Sequence, residues 1–279
     1  MTTLAVIKKR ENNVGEIKLE NVSFSYNQNA DISYVLENIN LSVGDGEFVC
    51  VLGSSGCGKS TLITLLEGLN FPSVGKVLIN NNEVTGPGKD RCIVFQHYSL
   101  FSWMTAKKNI SFGVKQVKGS LSNKEIDDIS REYLTKVGLA DYESKYPHQL
   151  SGGMQQRVAI ARALAMDPDI LLMDEPFGAI DTKNRMLLQN MLLQLCVNEE
   201  KRRTVVFITH DVDEAIYLSD RIVFMQPKRI REEIPVNFGP RRIRSEIFGS
   251  DAFLKLRNRL VGFFYEDAAD AMDISGAVI

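Results

Sequence analysis

The run Gly53-Ser54-Ser55-Gly56-Cys57-Gly58-Lys59-Ser60 constrains this chain more than any other segment, because of what stands on either side of it. Before it, Phe48 to Leu52 (FVCVL) is continuously apolar, the pattern of a strand buried on both faces. After it, Lys59 to Leu69 (KSTLITLLEGL) has helical spacing. A strand that turns through glycines straight into a helix gathers backbone N–H groups and the positive end of the helix dipole at one point, where a phosphate fits. Side chains in place of the glycines would block both the turn and the approach. Within this pattern Lys59 supplies a point charge to the outer phosphates, Ser60 a hydroxyl ligand for Mg²⁺, and Thr61 a further phosphate contact. A glycine-rich turn without a ligand is the competing reading, and the strand and helix flanking it argue against that.

A second buried strand, Ile170 to Asp174 (ILLMD), delivers Asp174 and Glu175 at its C-terminal end. Asp174 is placed to hold Mg²⁺ through water. Strand alternation sends Glu175 to the other side, where it can polarise an attacking water. An acidic pair at a strand end also suits a solvated turn, but the phosphate loop in the same chain favours the site. Further strands are expected at Thr204 to Thr209 and Ile222 to Met225, with a helix over Thr182 to Glu199. This alternation specifies a mainly parallel sheet covered by helices. Ile17, Leu19 and Val22, then Val35 to Val43, read as an antiparallel β layer. Gln96 to Leu164 reads as helices only, clearest at Asn123 to Val137, and so as an inserted helical subdomain of about residues 97–164.

A chain of 279 residues with 44% hydrophobic content can bury a sizeable core. Its net charge of -2 gives no electrostatic reason to expect nucleic acid. Cys50, Cys57, Cys92 and Cys196 lack the paired spacing of a zinc or redox motif, which fits a reduced cytosolic setting. No run approaches the roughly 20 apolar residues that span a bilayer, and the N-terminus lacks a signal-like apolar stretch. A membrane, if served, is served from outside the lipid. After Ile230 come a basic stretch at Arg241, Arg242 and Arg244, read as a solvated face or a contact for anionic lipid, and a helix over Asp251 to Phe263. Asp267 to Ile279 is expected to fray.

Leu150-Ser151-Gly152-Gly153-Met154-Gln155-Gln156-Arg157 is a helix start in which Ser151 is a good N-cap and the two glycines expose backbone donors. With this run the chain resembles the ATP-binding-cassette (ABC) ATPases, over about Ile17 to Met225 and in that family's motif order. The resemblance implies a P-loop NTPase core in residues 16–230, with residues 231–279 as a C-terminal extension. It implies ATP and Mg²⁺ as ligands, and two copies that close on each other's nucleotide, Ser151, Gly152 and Gly153 gripping the γ-phosphate across the dimer. Gln96 matches the glutamine that senses Mg²⁺ and water. His210 matches the switch histidine, and Tyr26 the aromatic that stacks on adenine, with Phe24 and Tyr34 near enough to compete. Gly178-Ala179-Ile180-Asp181 matches the loop that bridges the two sites, Asp181 being its acid.

More narrowly, Phe95-Gln96 through Leu100, Trp103 and Asn109, then Tyr146-Pro147-His148-Gln149-Leu150, is similar to the nitrate, sulfonate and taurine importer branch, with Ser102 where that branch has proline. Separate transmembrane permease subunits and, indirectly, a solute-binding protein are the implied partners, with the chain peripheral on the cytoplasmic face of the membrane. Leu100, Phe101, Trp103 and Met104 are candidates for the permease groove, although such a stripe is equally what a plain core presents. The rivals are a soluble cassette ATPase of DNA repair or translation, an exporter subunit, and a cassette that binds ATP without hydrolysing it. A lowered pKa at Cys57, beside a helix N-terminus, would make it open to alkylation.

Overall fold

The computed structural model describes residues 15–27, 33–96, 99–178, 180–197, 202–239 and 242–276. The chain enters through an antiparallel pair, β1 (Ile17–Phe24) and β2 (Leu36–Val43). β3 (Phe48–Gly53) is buried along its length and leads through the glycine loop into α1 (Lys59–Glu67). β4 (Val74–Ile79) and the two-residue β5 (Asn82–Glu83) complete the first sheet in the order β2-β1-β4-β5. After β6 (Arg91–Val94) come α2 (Ala106–Val117), α3 (Asn123–Lys136) and α4 (Gly152–Ala165), the expected helical insert. Thr105, Ser122 and Ser151 cap these helices, and Ser122 closes a capping box with Glu125, so each start is written locally.

The chain then alternates β7 (Ile170–Asp174), α5 (Thr182–Cys196), β8 (Thr204–Thr209), α6 (Val212–Leu218) and β9 (Arg221–Gln226) before the edge strand β10 (Arg229–Pro235). The second sheet has the order β10-β9-β3-β8-β7-β6 and is parallel except between β10 and β9. Its central strands split the core by parity. Phe48, Cys50, Leu52, Leu171, Met173, Val205 and Phe207 pack toward the helical insert and the C-terminal helices. Val49, Val51, Ile170, Leu172, Val206 and Ile208 pack toward α1 and the antiparallel layer. α1 therefore lies between two sheets, which is why Leu62, Ile63, Leu65 and Leu66 are all buried.

The C-terminal region departs from the sequence reading. A short α7 (Arg244–Phe248) precedes α8 (Asp251–Gly276), which continues well past Phe263 instead of fraying from Asp267. Asp267 accepts from Gln226 Nε2 at 2.5 Å and faces Arg231, and Phe263 and Phe264 pack edge-on against Phe224, so β9 and β10 hold the helix down. Within the basic stretch, Arg242 and Arg244 are neither a solvated face nor a free patch. Arg242 donates to the carbonyls of Ile216, Tyr217 and Ser219, closing the end of α6, and Arg244 stacks on Tyr217 and Phe248. Arg241 and Ala179 lie outside the described residues.

Candidate nucleotide site

The ends of β3, β6, β7 and β8 point the same way, so the loops that follow them converge. These loops carry Gly53 to Lys59, Gln96, Glu175 and His210. A Cβ at Gly53 would run into the carbonyl of Met225, and Gly58 holds φ at 108°, so at these two positions the loop admits only glycine. Lys59 is buried and laced into the loop, its Nζ donating to the carbonyls of Gly53 at 2.9 Å and Ser54 at 2.8 Å. Ser55 and Gly56 are exposed at the loop crest, and Ser54 is half-buried.

The Ser60 hydroxyl donates to Asp174 Oδ1 at 3.4 Å, across the gap between α1 and β7. Burial holds the Asp174 carboxyl above its usual range, the Ser60 hydrogen bond offsetting part of that effect. A hydroxyl and a carboxylate facing each other are the hard oxygen donors that suit Mg²⁺. Among the described residues no group of three His, Cys, Asp or Glu side chains forms a metal cage.

Glu175 corrects one step of the sequence reasoning. It stands beyond the end of β7 with φ at 43°, so a left-handed turn aims its side chain and the strand pleat does not. A glutamate in that region costs about 1–3 kcal/mol and persists only where its surroundings hold it. Here its N–H donates to the Ile208 carbonyl at 3.1 Å, and its Oε2 meets His210 Nδ1 at 3.0 Å. A Cβ added at Gly178 would stand 3.6 Å from Gln96 Nε2 and 3.9 Å from Glu175 Oε2, so the Gln96 amide and the carboxylate overlook one point.

Of the three aromatics proposed for adenine, Phe24 belongs to the core, and Tyr34 is half-buried. Tyr26 is 63% exposed, edge-on to Phe24, with its hydroxyl 3.1 Å from Thr61 Oγ1. Cys57 departs from expectation. It is 1% exposed, and burial raises its pKa despite Lys59 and the helix backbone, so it is a core thiol and not a reactive one.

The 151–153 run is built elsewhere. Ser151 Oγ accepts from Met154 N at 3.3 Å, and Gly152 and Gly153 open α4. Gly153 faces Asn184, where a Cβ would stand 3.5 Å away. Asn184 also donates to Asp181, the cap of α5, from its backbone at 3.1 Å and its side chain at 2.7 Å. Those bonds hold the Asp181 carboxyl below its usual range. The sequence reading missed Asn184, and also Arg185, which joins the Ile180 carbonyl to Asp211 beside His210. The serine- or acid-capped helix start was the available signal for the first. Nothing local marks the second.

The candidate groove stripe is divided. Leu100 packs on the core, Phe101 and Met104 are half-buried, and Trp103 is 70% exposed. The Phe101 ring lies tilted against Trp103 at 5.4 Å between centroids and edge-on to Phe112 at 4.8 Å. Fully buried Asn109 ties this loop down through the Phe101 N–H and the carbonyls of Phe101, Met104 and Thr105.

With a phosphate loop, a carboxylate-ended strand and a serine-capped helix start on one fold, the class is that of a cassette ATPase. The ABC transporter family model matches residues 36–178. An uncharacterized ABC transporter ATP-binding protein of Methanocaldococcus jannaschii is 45% identical over 268 residues, 95% of this chain and 97% of that one. A bicarbonate transport ATP-binding protein of Synechocystis is 43% identical over 252 residues, 89% of each chain. A nitrate import ATP-binding protein of Synechococcus elongatus is 44% identical over 233 residues, 82% of this chain and 84% of that one. A dimeric ATP-binding cassette solved in a post-hydrolysis state with ADP and Pi superposes at a TM-score of 0.71 and 35% identity, over 80% of this chain and all of the other. The chain belongs to the ABC transporter family and is one of its ATP-binding, ATP-hydrolysing subunits. Among the described residues no helix is long and apolar enough to cross a membrane.

Proposed function

We propose that two copies of this chain close around two ATP molecules and drive a permease that imports a solute of the nitrate, sulfonate and taurine type. In this reading residues 16–230 are the motor and residues 231–279 an extension. Lys59 and the backbone of residues 53–61 hold the phosphates, and Tyr26 stacks on adenine. Ser60, Asp174 and Gln96 would hold, directly or through water, Mg²⁺, which would supply neutralisation of phosphate charge and orientation of the outer phosphates. Glu175 accepts a hydrogen bond from the attacking water and draws on its proton, and His210 fixes the carboxylate from the other side and reaches toward the γ-phosphate. Ser151, Gly152 and Gly153 of the second copy present the helix N-terminus to that same phosphate, and Asp181 links the two sites.

The observation that carries this reading is that the two anion-binding ends have different neighbours. Ser60 meets Asp174 and Glu175 meets His210 at one place, whereas Gly153 is packed on Asn184 at the start of another helix. A second copy is what brings the two together. Import rests on the relatives named for nitrate and bicarbonate. Exposed Trp103 and a cavity of about 290 Å³ lined by Met104, Phe112 and Ile126 offer a permease helix an apolar seat, with Lys108 and Lys115 at its rim. The chain would then sit on the cytoplasmic face of the membrane, held by the permease and served indirectly by a solute-binding protein.

Glu175→Gln tests the chemistry. It keeps the size of the side chain and its contact with His210 but removes the charge. We expect ATP affinity within about twofold of the native chain, and turnover lower by roughly 10²–10⁴. Native turnover in this variant would remove Glu175 from the mechanism.

A further inference from the structure

Arg244, at the start of α7 in the C-terminal extension, ends a chain of hydrogen bonds that begins at the switch. Its guanidinium lies 4.3 Å from the Tyr217 ring centroid and 4.7 Å from that of Phe248, and it donates to Gln189 Oε1. Gln189, buried on α5, passes the contact on: its Nε2 donates to Glu214 Oε1 at 2.8 Å. Buried Glu214 accepts the Thr209 hydroxyl on its other oxygen at 2.5 Å. Thr209 Oγ1 in turn accepts the Asp211 N–H at 3.0 Å. His210 is the residue between those two.

The Gln189 amide is oriented from both sides, by the donor Arg244 and by the acceptor Glu214, and Glu214 in turn accepts from Thr209 on its other oxygen. An arginine only donates, so the Gln189 oxygen must face Arg244 and its NH₂ group must face Glu214. Without that donor the buried Gln189 oxygen loses its partner, and the side chain that braces Glu214 is held from one side only. The same extension holds α6 at two further points, where Arg242 caps its last carbonyls and Arg257 Nε meets Asp213 at 2.7 Å. The helix that follows His210 is thus gripped by the extension at both ends.

We propose that Arg244 is a positioning residue for ATP hydrolysis: through Gln189, Glu214 and Thr209 it fixes the backbone on both sides of His210, and so the place of the imidazole beside Glu175. This rests on the reading of His210 as the switch. It gives residues 231–279 a part in controlling turnover, because any movement of α7 is relayed to the switch.

The test uses the full chain and steady-state ATP hydrolysis. Arg244→Met keeps an apolar stem but cannot donate. We expect kcat to fall roughly threefold to thirtyfold, the range of coupling through packed networks, with KM for ATP within about twofold. Arg244→Lys, which can still donate to Gln189, should recover most of the loss. Arg259→Met breaks a contact between α8 and Glu232 of β10, away from this chain of bonds, and should leave kcat unchanged. Native kcat in Arg244→Met, with His210→Ala inactive, overturns the proposal alone. So does a fall that tracks the loss of folded protein and that lysine does not repair. A His210→Ala variant with native turnover overturns the switch reading, and this proposal with it.

Discussion

Asp174 shows how the site trades stability for readiness. Burial raises its carboxyl above the usual range, so folding penalises the ionised form relative to the unfolded chain. The sign follows from linkage: the stabilising contribution of the protonated carboxyl is full below the unfolded carboxylate range and is lost as pH rises through the raised folded value. Asp174→Asn, which keeps the acceptor for Ser60, should therefore melt higher than the native chain at neutral pH without Mg²⁺. The gain should shrink as the pH is lowered toward the carboxylate range, and thermal unfolding at several pH values measures it. A constant or inverted difference would contradict the account. Which residues gather here was legible in the sequence, because the loop, the paired acids and the post-strand histidine are each contiguous with a strand. What was not legible is tertiary: the left-handed turn that aims Glu175, and the burial that turns Cys57 from a reactive thiol into a core one.

At the scale of elements, the buried strands and capped helices were legible because their signals are local. β4 and β10 were not. VGKVLI carries a glycine and a lysine within one short strand, and RIREEIP is a polar edge whose pairing with β9 decides its state. The far half of α8 was missed for a related reason, since its anchors Gln226 and Arg231 belong to β9 and β10. The loop between β6 and α2 makes a sharper case. Asn109 serves four backbone groups there, so Asn109→Ala should cost about 3 kcal/mol by removing these side-chain hydrogen bonds from a dry site, the Phe101 N–H losing its acceptor. It should also loosen the seat of Trp103 and weaken permease binding while ATP affinity stays native. Thermal unfolding and nucleotide titration of the variant check both halves, and an Asn109→Ala chain of native stability would refute the role given to this residue.

Parity along the central strands builds a core on each face of the parallel sheet. In the proposed reading the loops at its C-terminal edge supply half of a phosphate cage, and the start of α4 in the helical insert is the second anion-binding end. Closing the cage requires a twin, and that requirement is the central claim. The direct measurement is sedimentation of the Glu175→Gln chain with Mg²⁺ and ATP, compared with the same chain without nucleotide. We expect the 31.3 kDa chain to double its mass only when Mg²⁺ and ATP are both present, with one nucleotide retained per copy. A chain that binds ATP tightly yet sediments as a monomer, alone and with its permease, would contradict the account.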